Sequence, residues 1–195
     1  MNYLAHAYLS FNDPEILTGN MIADEVKGRL ALEKYPAGIR QGILRHRAID
    51  SRTDTHPAVL RAKLLFRAYY GLYSGAVVDT IFDHFLANDP RCFSGEKALL
   101  AFSQTVYSVL EDHRQYFPEK FAAFFPYMKQ GNWLYNYRTV AGMEKSLNGL
   151  VRKAVFMAPA AKAYEIFISS YYSLNQCYYD FIDDIISFVK NDPAT

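Results

Sequence analysis

The chain has 195 residues, a length that fits one domain with a sizeable core. Its composition, 51% hydrophobic and 21% charged, is that of a globular protein, and a net charge of +1 gives no overall field for nucleic acid. We find no apolar run long enough for a membrane span and no signal-peptide pattern. Two cysteines, Cys92 and Cys177, form no CxxC pair, which favours reduced thiols. We therefore expect a cytoplasmic protein without membrane insertion.

Helical periodicity runs through the chain, and no strand alternation interrupts it. Asp13 and Pro14 predict a helix start, and Gly28 predicts a C-cap for a helix over 14–27. Pro36 opens a central helix that ends at 53–57. The other predicted helices cover 1–11, 57–70, 76–88, 96–116, 119–130, 139–153 and 159–190. The predicted fold is an all-α, single-domain bundle, spanning 1–195, of about seven to nine helices.

The helix over 14–27 changes from apolar to polar partway along. Ile16 and Leu17 share a face with Asn20, Asp24 and Lys27 at about 100° per residue. The N-terminal stretch carries a related feature, since its one histidine, His6, lies among apolar residues. Such a histidine is either a hydrogen-bonded core residue or a ligand.

The central helix repeats this change of polarity. Ile39 and Ile43 form an apolar stripe that continues as His46, Asp50 and then Asp54. Residues four apart on a helix reach the same point, so His46 and Asp50 could bind one metal ion or make an ordinary polar pair. Buried polar residues on two consecutive helices suggest one shared site.

Arg47 lies beside this stripe, where two interpretations are open. It could hold the oxygens of an anionic substrate with two parallel hydrogen bonds. Alternatively, it could pair with Asp50 or Asp54 and serve only to stabilise the helix.

The helix over 76–88 places two carboxylates at the border of its apolar face. Asp79 and Asp83 are four residues apart, so their negative charges would repel each other unless a cation, a metal or a proton compensates them. His84 follows directly, and neighbouring Asp and His residues can serve one metal. An acidic, half-exposed helix edge is the alternative.

Positive charge is concentrated between residues 40 and 67, where the local net charge is +5. A basic patch of this kind either steers an acidic partner or is merely solvated. The last predicted helix carries an apolar stripe more typical of core packing than of a cofactor site. Its members are Tyr164, Phe167, Tyr171, Leu174, Tyr178, Phe181, Ile185 and Val189.

Six motifs in fixed order resemble the acyl carrier protein phosphodiesterase family over about residues 1–155. They are NYLAHAYLS at the N-terminus, GNMIADEVKG at 19–28, HRAIDSRTDTH at 46–56, FDHFL at 82–86, NWL with Tyr137 and Arg138, and LNGL at 147–150. Two departures concern substrate preference. Glu25 replaces an aromatic residue, and Ala7 and Tyr8 stand where some members have a further histidine.

This resemblance implies an all-helical fold distantly related to the HD phosphohydrolases. It also implies hydrolysis, with Mn²⁺ or Mg²⁺, of the phosphodiester that links 4′-phosphopantetheine to a serine of an acidic holo-acyl carrier protein. The implied metal ligands are drawn from His6, Asp24, His46, Asp50, Asp83 and His84, with Asn20, Asp54, His56 and Asp79 supporting them. We predict Asp24, Arg47, Asp50 and Lys27 as catalytic residues, with Arg47 or Lys27 holding the phosphoryl oxygens. From the basic segment we predict that Arg61, Lys63 or Arg67 docks the acidic carrier.

No serine or cysteine lies in a nucleophile motif, which favours direct attack by water over a covalent intermediate. The general base, the oligomeric state and the identity of the carrier protein, including the carrier of fatty acid synthesis, stay open. Two other functions are also open. One is an HD-type hydrolase of a nucleotide or another small phosphodiester, and the other is a non-catalytic helical binding module.

Overall fold

The computed structural model describes residues 1–153 and 158–191, and all regular secondary structure in these ranges is helical. The prediction of an all-α fold is confirmed. The described helices are α1 (Tyr3–Tyr8), α2 (Pro14–Ile22), α3 (Arg29–Leu32), α4 (Ala37–Thr55), α5 (Pro57–Tyr70), α6 (Ser74–Ala87), α7 (Glu96–Asp112), α8 (Glu119–Gln130), α9 (Trp133–Asn136), α10 (Val140–Lys153), α11 (Ala160–Ser169) and α12 (Tyr171–Asn191). Short 3₁₀ turns cover Ala23–Glu25, Gly71–Tyr73 and Arg114–Tyr116.

These twelve segments, counted over the two described ranges, exceed the seven to nine that were predicted. Two of the additional helices, α3 and α9, have only four residues each, too few for a periodic pattern. The last predicted helix is divided at Ser170, whose φ of −110° and ψ of 17° interrupt the helical backbone. The first is shorter than predicted, since it ends at Tyr8 with Leu9 as its C-cap, and Phe11 and Asn12 beyond it adopt non-helical, positive φ angles of 50° and 64°.

The predicted end of α2 was wrong. The α-helix stops at Ile22, and the chain continues as a 3₁₀ turn and then an extended residue, Val26. Gly28, with φ of 80°, precedes α3 instead of capping α2. This early end matters for the site because Asp24 lies on the 3₁₀ turn and not on the helix.

Two glycines let α2 and α4 cross with their backbones in contact. A Cβ atom on Gly19 would lie 2.0 Å from the carbonyl oxygen of Ile39, and one on Gly42 would lie 2.2 Å from that of Ile16. No residue larger than glycine fits at this crossing. The close approach brings Asn20 of α2 against the polar half of α4, where His46 lies.

The core is built largely of aromatic and branched side chains from α5, α6 and α12. The apolar stripe predicted for the last helix packs into it as expected, although Tyr171 remains 38% exposed. Fully buried members of the core include Phe66, Val77, Ile81, Phe82, Phe167, Leu174, Tyr178, Phe181 and Ile185.

Candidate metal centre

Two buried histidines from separate helices stack on each other at the α2–α4 crossing. The rings of His6, on α1, and His46, on α4, have centroids 3.9 Å apart and planes inclined by 15°. Their Nε2 atoms lie 3.2 Å from Oδ1 and 3.1 Å from Oδ2 of Asp50, respectively. One donor atom from each of the three residues lies within 4.8 Å of the others, close enough to share one cation.

Asn20, on α2, determines which nitrogen of each histidine faces this centre. Its Nδ2 donates to the carbonyl of His6 at 2.8 Å and to Oγ of Ser10 at 3.1 Å, so its Oδ1 is an acceptor. Nδ1–H of His6 donates to that Oδ1, and Nδ1–H of His46 donates to the carbonyl oxygen of Asn20, both at 2.8 Å. Each neutral imidazole therefore keeps a lone pair on Nε2, the form that binds a metal.

The residues present fit a divalent metal ion. Nε2 of His6 is buried and has no hydrogen-bond partner in the described part of the chain, although Asp50 Oδ1 is only 3.2 Å away. A buried nitrogen without a partner is costly, and a cation between the two groups would satisfy both. Imidazole together with carboxylate suits first-row divalent ions such as Mn²⁺.

Asp24 lies at the open side of the centre. The 3₁₀ turn after α2 brings its Oδ1 to 3.2 Å from Nε2 of His46, and its side chain is 69% exposed. Asp50 is 39% exposed, whereas the two histidines are almost entirely buried. The two imidazoles therefore form the buried base of the site. The two carboxylates line its open side, here called the mouth, through which a substrate can approach.

Opposing charges give the two stacked histidines different proton affinities. Burial lowers the pKa of His46, but hydrogen bonds and charge from Asp24 and Asp50 outweigh it and raise the pKa to about 9. Burial and the neighbouring His46 charge lower the pKa of His6 to about 4. Without a metal, we therefore expect His46 to carry an additional proton on Nε2 near neutral pH, whereas His6 is neutral.

The α-ammonium group of Met1 adds a positive charge that the sequence did not indicate. Its nitrogen lies 3.1 Å from Oδ1 of Asp79 and 3.5 Å from Oδ1 of Asp50. Burial acts to lower the pKa of this ammonium, but the two carboxylates raise it above its usual value. The position of an α-amino group cannot be predicted from residue types or their spacing, so its proximity to these two carboxylates becomes apparent only in the folded structure.

Asp83 does not lie among the three clustered ligands. Its Oδ2 accepts from the backbone N–H of Leu4 at 2.7 Å, and its Oδ1 accepts from that of Ala5 at 3.1 Å. Burial raises the pKa of this carboxyl to about 7. Asp83 therefore anchors the start of α1, the helix that carries His6, instead of contributing an atom to the cluster.

His84 is also directed elsewhere. Nδ1–H donates to the carbonyl oxygen of Tyr137 at 2.7 Å, and Nε2 accepts from the hydroxyl of Tyr171 at 3.0 Å. Burial lowers the pKa of the ring. With both nitrogens occupied, His84 connects α6 to α12 and has no lone pair for a metal.

The two remaining residues expected to support the ligands make contacts among α4, α5 and α12. Asp54 pairs with Lys63 at 2.7 Å. Nδ1 of His56 accepts from the backbone N–H of Ala58 at 3.2 Å, and its Nε2 contacts Oδ2 of Asp184 at 3.1 Å. His56 is thus the N-cap of α5.

The two cations expected near the substrate differ in how they are held. Nη2 of Arg47 donates to the carbonyl oxygen of Val26 at 2.8 Å, next to the turn that carries Asp24. In the described ranges, no ion pair joins Arg47 to Asp50 or Asp54. Lys27 is exposed on the loop that follows the same turn.

The predicted docking residues lie along α5. Arg61 forms an ion pair with Asp180, and Lys63 is only 17% exposed and paired with Asp54. Arg67 is exposed. The same helix and the following turn also expose large apolar side chains, namely Leu60, Leu64, Leu65, Tyr69 and Leu72.

This cluster of imidazoles and carboxylates, held by an all-helical fold, is the kind of donor set that metal-dependent hydrolases use. Comparison with known proteins identifies the class further. The family model described as "Acyl carrier protein phosphodiesterase" matches residues 1–185. The chain is 30% identical over 191 residues to a protein of that name from Photorhabdus laumondii, covering 98% of this chain and 96% of the relative. It is 32% identical over 193 residues to the Yersinia pestis protein of that name, covering 96% and 93%.

The chain therefore belongs to the acyl carrier protein phosphodiesterase family, and it is a hydrolase. The resemblance proposed from the motifs is confirmed, and it extends beyond the predicted boundary at about residue 155. No solved structure matches the chain. Over the described residues, no helix combines the length and the apolar character needed to cross a bilayer.

Proposed function

We propose that this protein removes 4′-phosphopantetheine from holo-acyl carrier protein in the cytoplasm, with Mn²⁺ or Mg²⁺ as its cofactor. Water attacks the phosphorus atom, the bond from phosphorus to the carrier serine oxygen breaks, and that oxygen takes up a proton. The products are apo-acyl carrier protein and 4′-phosphopantetheine. Family membership and the names of the relatives support this reaction.

The observation that carries the proposal is the buried Nε2 of His6, which lies 3.2 Å from Asp50 without a hydrogen bond. His6, His46 and Asp50 would hold the metal ion, with Asp24 as a further ligand or the base at the open side. When bound, such an ion supplies positive charge to the phosphoryl oxygens and makes water more acidic.

The protein's own groups would manage protons and charge around the phosphodiester. Asp24, exposed and beside His46, is our candidate to accept a proton from the attacking water. Arg47 would bind a phosphoryl oxygen, since a guanidinium can release a carbonyl contact in favour of an anion. Asn20 would keep both imidazoles in the ligating form.

The carrier protein would dock along α5. Acyl carrier proteins are acidic as a family, and α5 presents an exposed cation, Arg67, beside exposed leucines. Arg61 and Lys63 already have carboxylate partners, so we assign them a smaller share of the docking charge.

Mass spectrometry of purified holo-acyl carrier protein incubated with the enzyme and Mn²⁺ tests the proposal. We expect the carrier to lose the mass of 4′-phosphopantetheine, with much slower hydrolysis of cyclic and linear dinucleotides. Faster turnover of dinucleotides would favour a small-phosphodiester hydrolase. Absence of any turnover and of bound metal would favour a binding module.

A further inference from the structure

A cavity of about 510 Å³ opens between the N-terminus of α1 and helices α6, α9 and α10. Its volume is within the range of roughly 300–1,000 Å³ that is usual for small-molecule sites. The reaction proposed above uses none of its side chains. Its lining comprises Asn2, Tyr3, Thr80, Gly131, Trp133, Asn136, Tyr137, Gly142, Lys145, Ser146, Gly149 and Leu150.

The cavity shares a wall with the candidate metal centre. Nδ2 of Asn2 donates to Oγ1 of Thr80 and to the hydroxyl of Tyr137, each at 3.1 Å, and these three residues line one side. Met1 directly precedes Asn2, and its ammonium nitrogen lies 3.5 Å from Oδ1 of Asp50. Between a ligand in the cavity and Asp50 of the centre lie Asn2 and the ammonium group of Met1.

An aromatic group joins the cavity to the mouth of the centre. The ring of Tyr3 packs against Phe124 at 5.9 Å, and Phe124 stacks on Trp133 at 6.2 Å. Burial, with the negative charges of Asp24 and Glu25, raises the pKa of Tyr3. Lys120, one turn before Phe124 on α8, pairs with Glu25 at 3.3 Å, and Glu25 directly follows Asp24, so this aromatic group lies beside the open side of the centre.

The chemistry of the lining favours an uncharged, amide-bearing chain. Three aromatic rings and three glycines give apolar, shallow walls, while asparagine, serine, threonine and lysine side chains offer hydrogen bonds. None of the described lining residues is acidic, so a metal ion is not favoured there. Asn136 and Ser146 donate to the carbonyls of Gly131 and Gly142, and a purely hydrocarbon chain would leave the remaining hydrogen-bonding capacity of these polar side chains unused.

We propose that this cavity binds the pantetheine arm of the substrate, with its two amides and its terminal thiol, while the phosphodiester lies at the metal centre. This assignment rests on the proposed function. The arm extends from the phosphate on the side opposite the carrier serine, so it needs a site next to the centre and away from the docked carrier. The carrier would dock on α5, and the cavity lies at α9 and α10.

Gly149 allows the cavity to be filled without disturbing its walls. A Cβ atom at this lining position would meet no atom within 4 Å, and the residue lies inside α10, where leucine is a better helix former than glycine. Gly149→Leu therefore reduces the cavity volume. Ala141→Leu adds the same bulk at an exposed position of α10 outside the lining and is the matched control.

The experiment measures pantetheine binding by calorimetry, and kcat/KM for holo-acyl carrier protein and for bis(p-nitrophenyl) phosphate, which has no arm. For Gly149→Leu we expect pantetheine binding to weaken at least about tenfold, equivalent to about 1.4 kcal/mol. The ratio of kcat/KM for the carrier to that for the small diester should fall by a similar factor. Ala141→Leu should leave both quantities at wild-type values.

Measuring pantetheine binding to the wild type distinguishes a failure of this assignment from a failure of the proposed function. Pantetheine that fails to bind, or binds equally well to Gly149→Leu and the wild type, overturns the assignment even if the enzyme hydrolyses holo-carrier. Should Gly149→Leu not fold, competition of pantetheine against holo-carrier in the wild type decides, and absence of competition contradicts the assignment. A wild-type enzyme that binds pantetheine but releases no 4′-phosphopantetheine would refute the proposed function alone.

Discussion

Asn20 is the residue on which the chemistry of the centre depends most directly. It is fully buried, and it gives a side-chain oxygen to one histidine and a backbone oxygen to the other. Both acceptors bind Nδ1–H, so both Nε2 atoms turn toward Asp50. One residue thus holds two candidate metal ligands from separate helices in the tautomer that can bind a metal.

Metal affinity should depend on pH through His46. With its pKa raised to about 9, this ring is protonated near neutral pH, and a metal ion must displace that proton. We expect the apparent affinity for Mn²⁺ to increase by about tenfold per pH unit between pH 7 and 8.5. Calorimetric titration in buffers of different pH checks this, and an affinity independent of pH would contradict the assignment of the proton.

The same proton affects the metal-free fold in the opposite direction. Because the pKa of His46 in the folded state exceeds its usual 6.5, the stabilisation is complete below pH 6.5 and is lost as pH rises toward about 9. The chelated protein should therefore melt at a lower temperature at pH 9 than at pH 6.5. His46→Gln should reduce this difference.

Substitutions of Arg47 test whether its guanidinium binds a phosphoryl oxygen of the substrate. Arg47→Ala should lower kcat by roughly 10²–10³-fold, the effect usual for removing one electrostatic donor in the transition state. Arg47→Lys should recover only part of this, since an ammonium cannot form two parallel bonds. Near-normal kcat per bound metal in the alanine variant would exclude the role.

At the scale of elements, the packing of α2 on α4 determines whether the ligands meet. Gly19 and Gly42 permit backbone contact, and Asp83 holds α1 against α6 so that His6 reaches the same place. The distance between these helices therefore sets the geometry of the site.

Gly42→Ala should separate the two helices. Its Cβ would fall 2.2 Å from the carbonyl oxygen of Ile16, so the helices must move apart at a cost of about 1–3 kcal/mol in unfolding free energy. Metal affinity should fall as well. Gly149→Ala is the control, because its Cβ meets nothing and the substitution should be neutral or slightly stabilising in thermal melts. A Gly42→Ala variant with unchanged stability and metal affinity would contradict this account.

Sequence periodicity predicted contacts within a helix much better than contacts between helices. His46 and Asp50 are four apart, and their meeting followed from spacing alone. The role of Asp83 could not follow, because its partners are backbone amides 79 and 78 residues away. The same limit applies to His84, whose partners belong to distant parts of the chain.

For the whole molecule, the question is how an acidic carrier approaches the mouth of the centre. The local charge of +5 predicted from the sequence is partly neutralised in the fold, because Arg61 pairs with Asp180 from outside the segment, whereas Asp54, the partner of Lys63, is already included in that count. Composition could not indicate this, since Asp180 lies far along the chain. Exposed Arg67, beside exposed leucines, is the strongest remaining candidate for docking.

Arg67→Ala should raise KM for holo-carrier several-fold and reduce its dependence on salt, with little change in kcat, because a rim charge acts on association. Lys97→Ala, which removes an exposed cation on α7, is the control and should change neither quantity. Steady-state kinetics at low and physiological ionic strength measure the effect. Equal salt dependence in Arg67→Ala and the wild type would exclude this docking surface.

The central claim is that His6, His46 and Asp50 hold the divalent ion required for hydrolysis of the carrier phosphodiester. The most direct test is to remove metal by chelation, add Mn²⁺ back in increments, and measure bound metal and the conversion of holo- to apo-carrier by mass spectrometry in the wild type and His46→Ala. We predict that conversion in the wild type is lost on chelation and returns in proportion to bound metal. His46→Ala should bind Mn²⁺ at least about tenfold more weakly. Full conversion by metal-free protein, or normal metal content in His46→Ala, would contradict the claim.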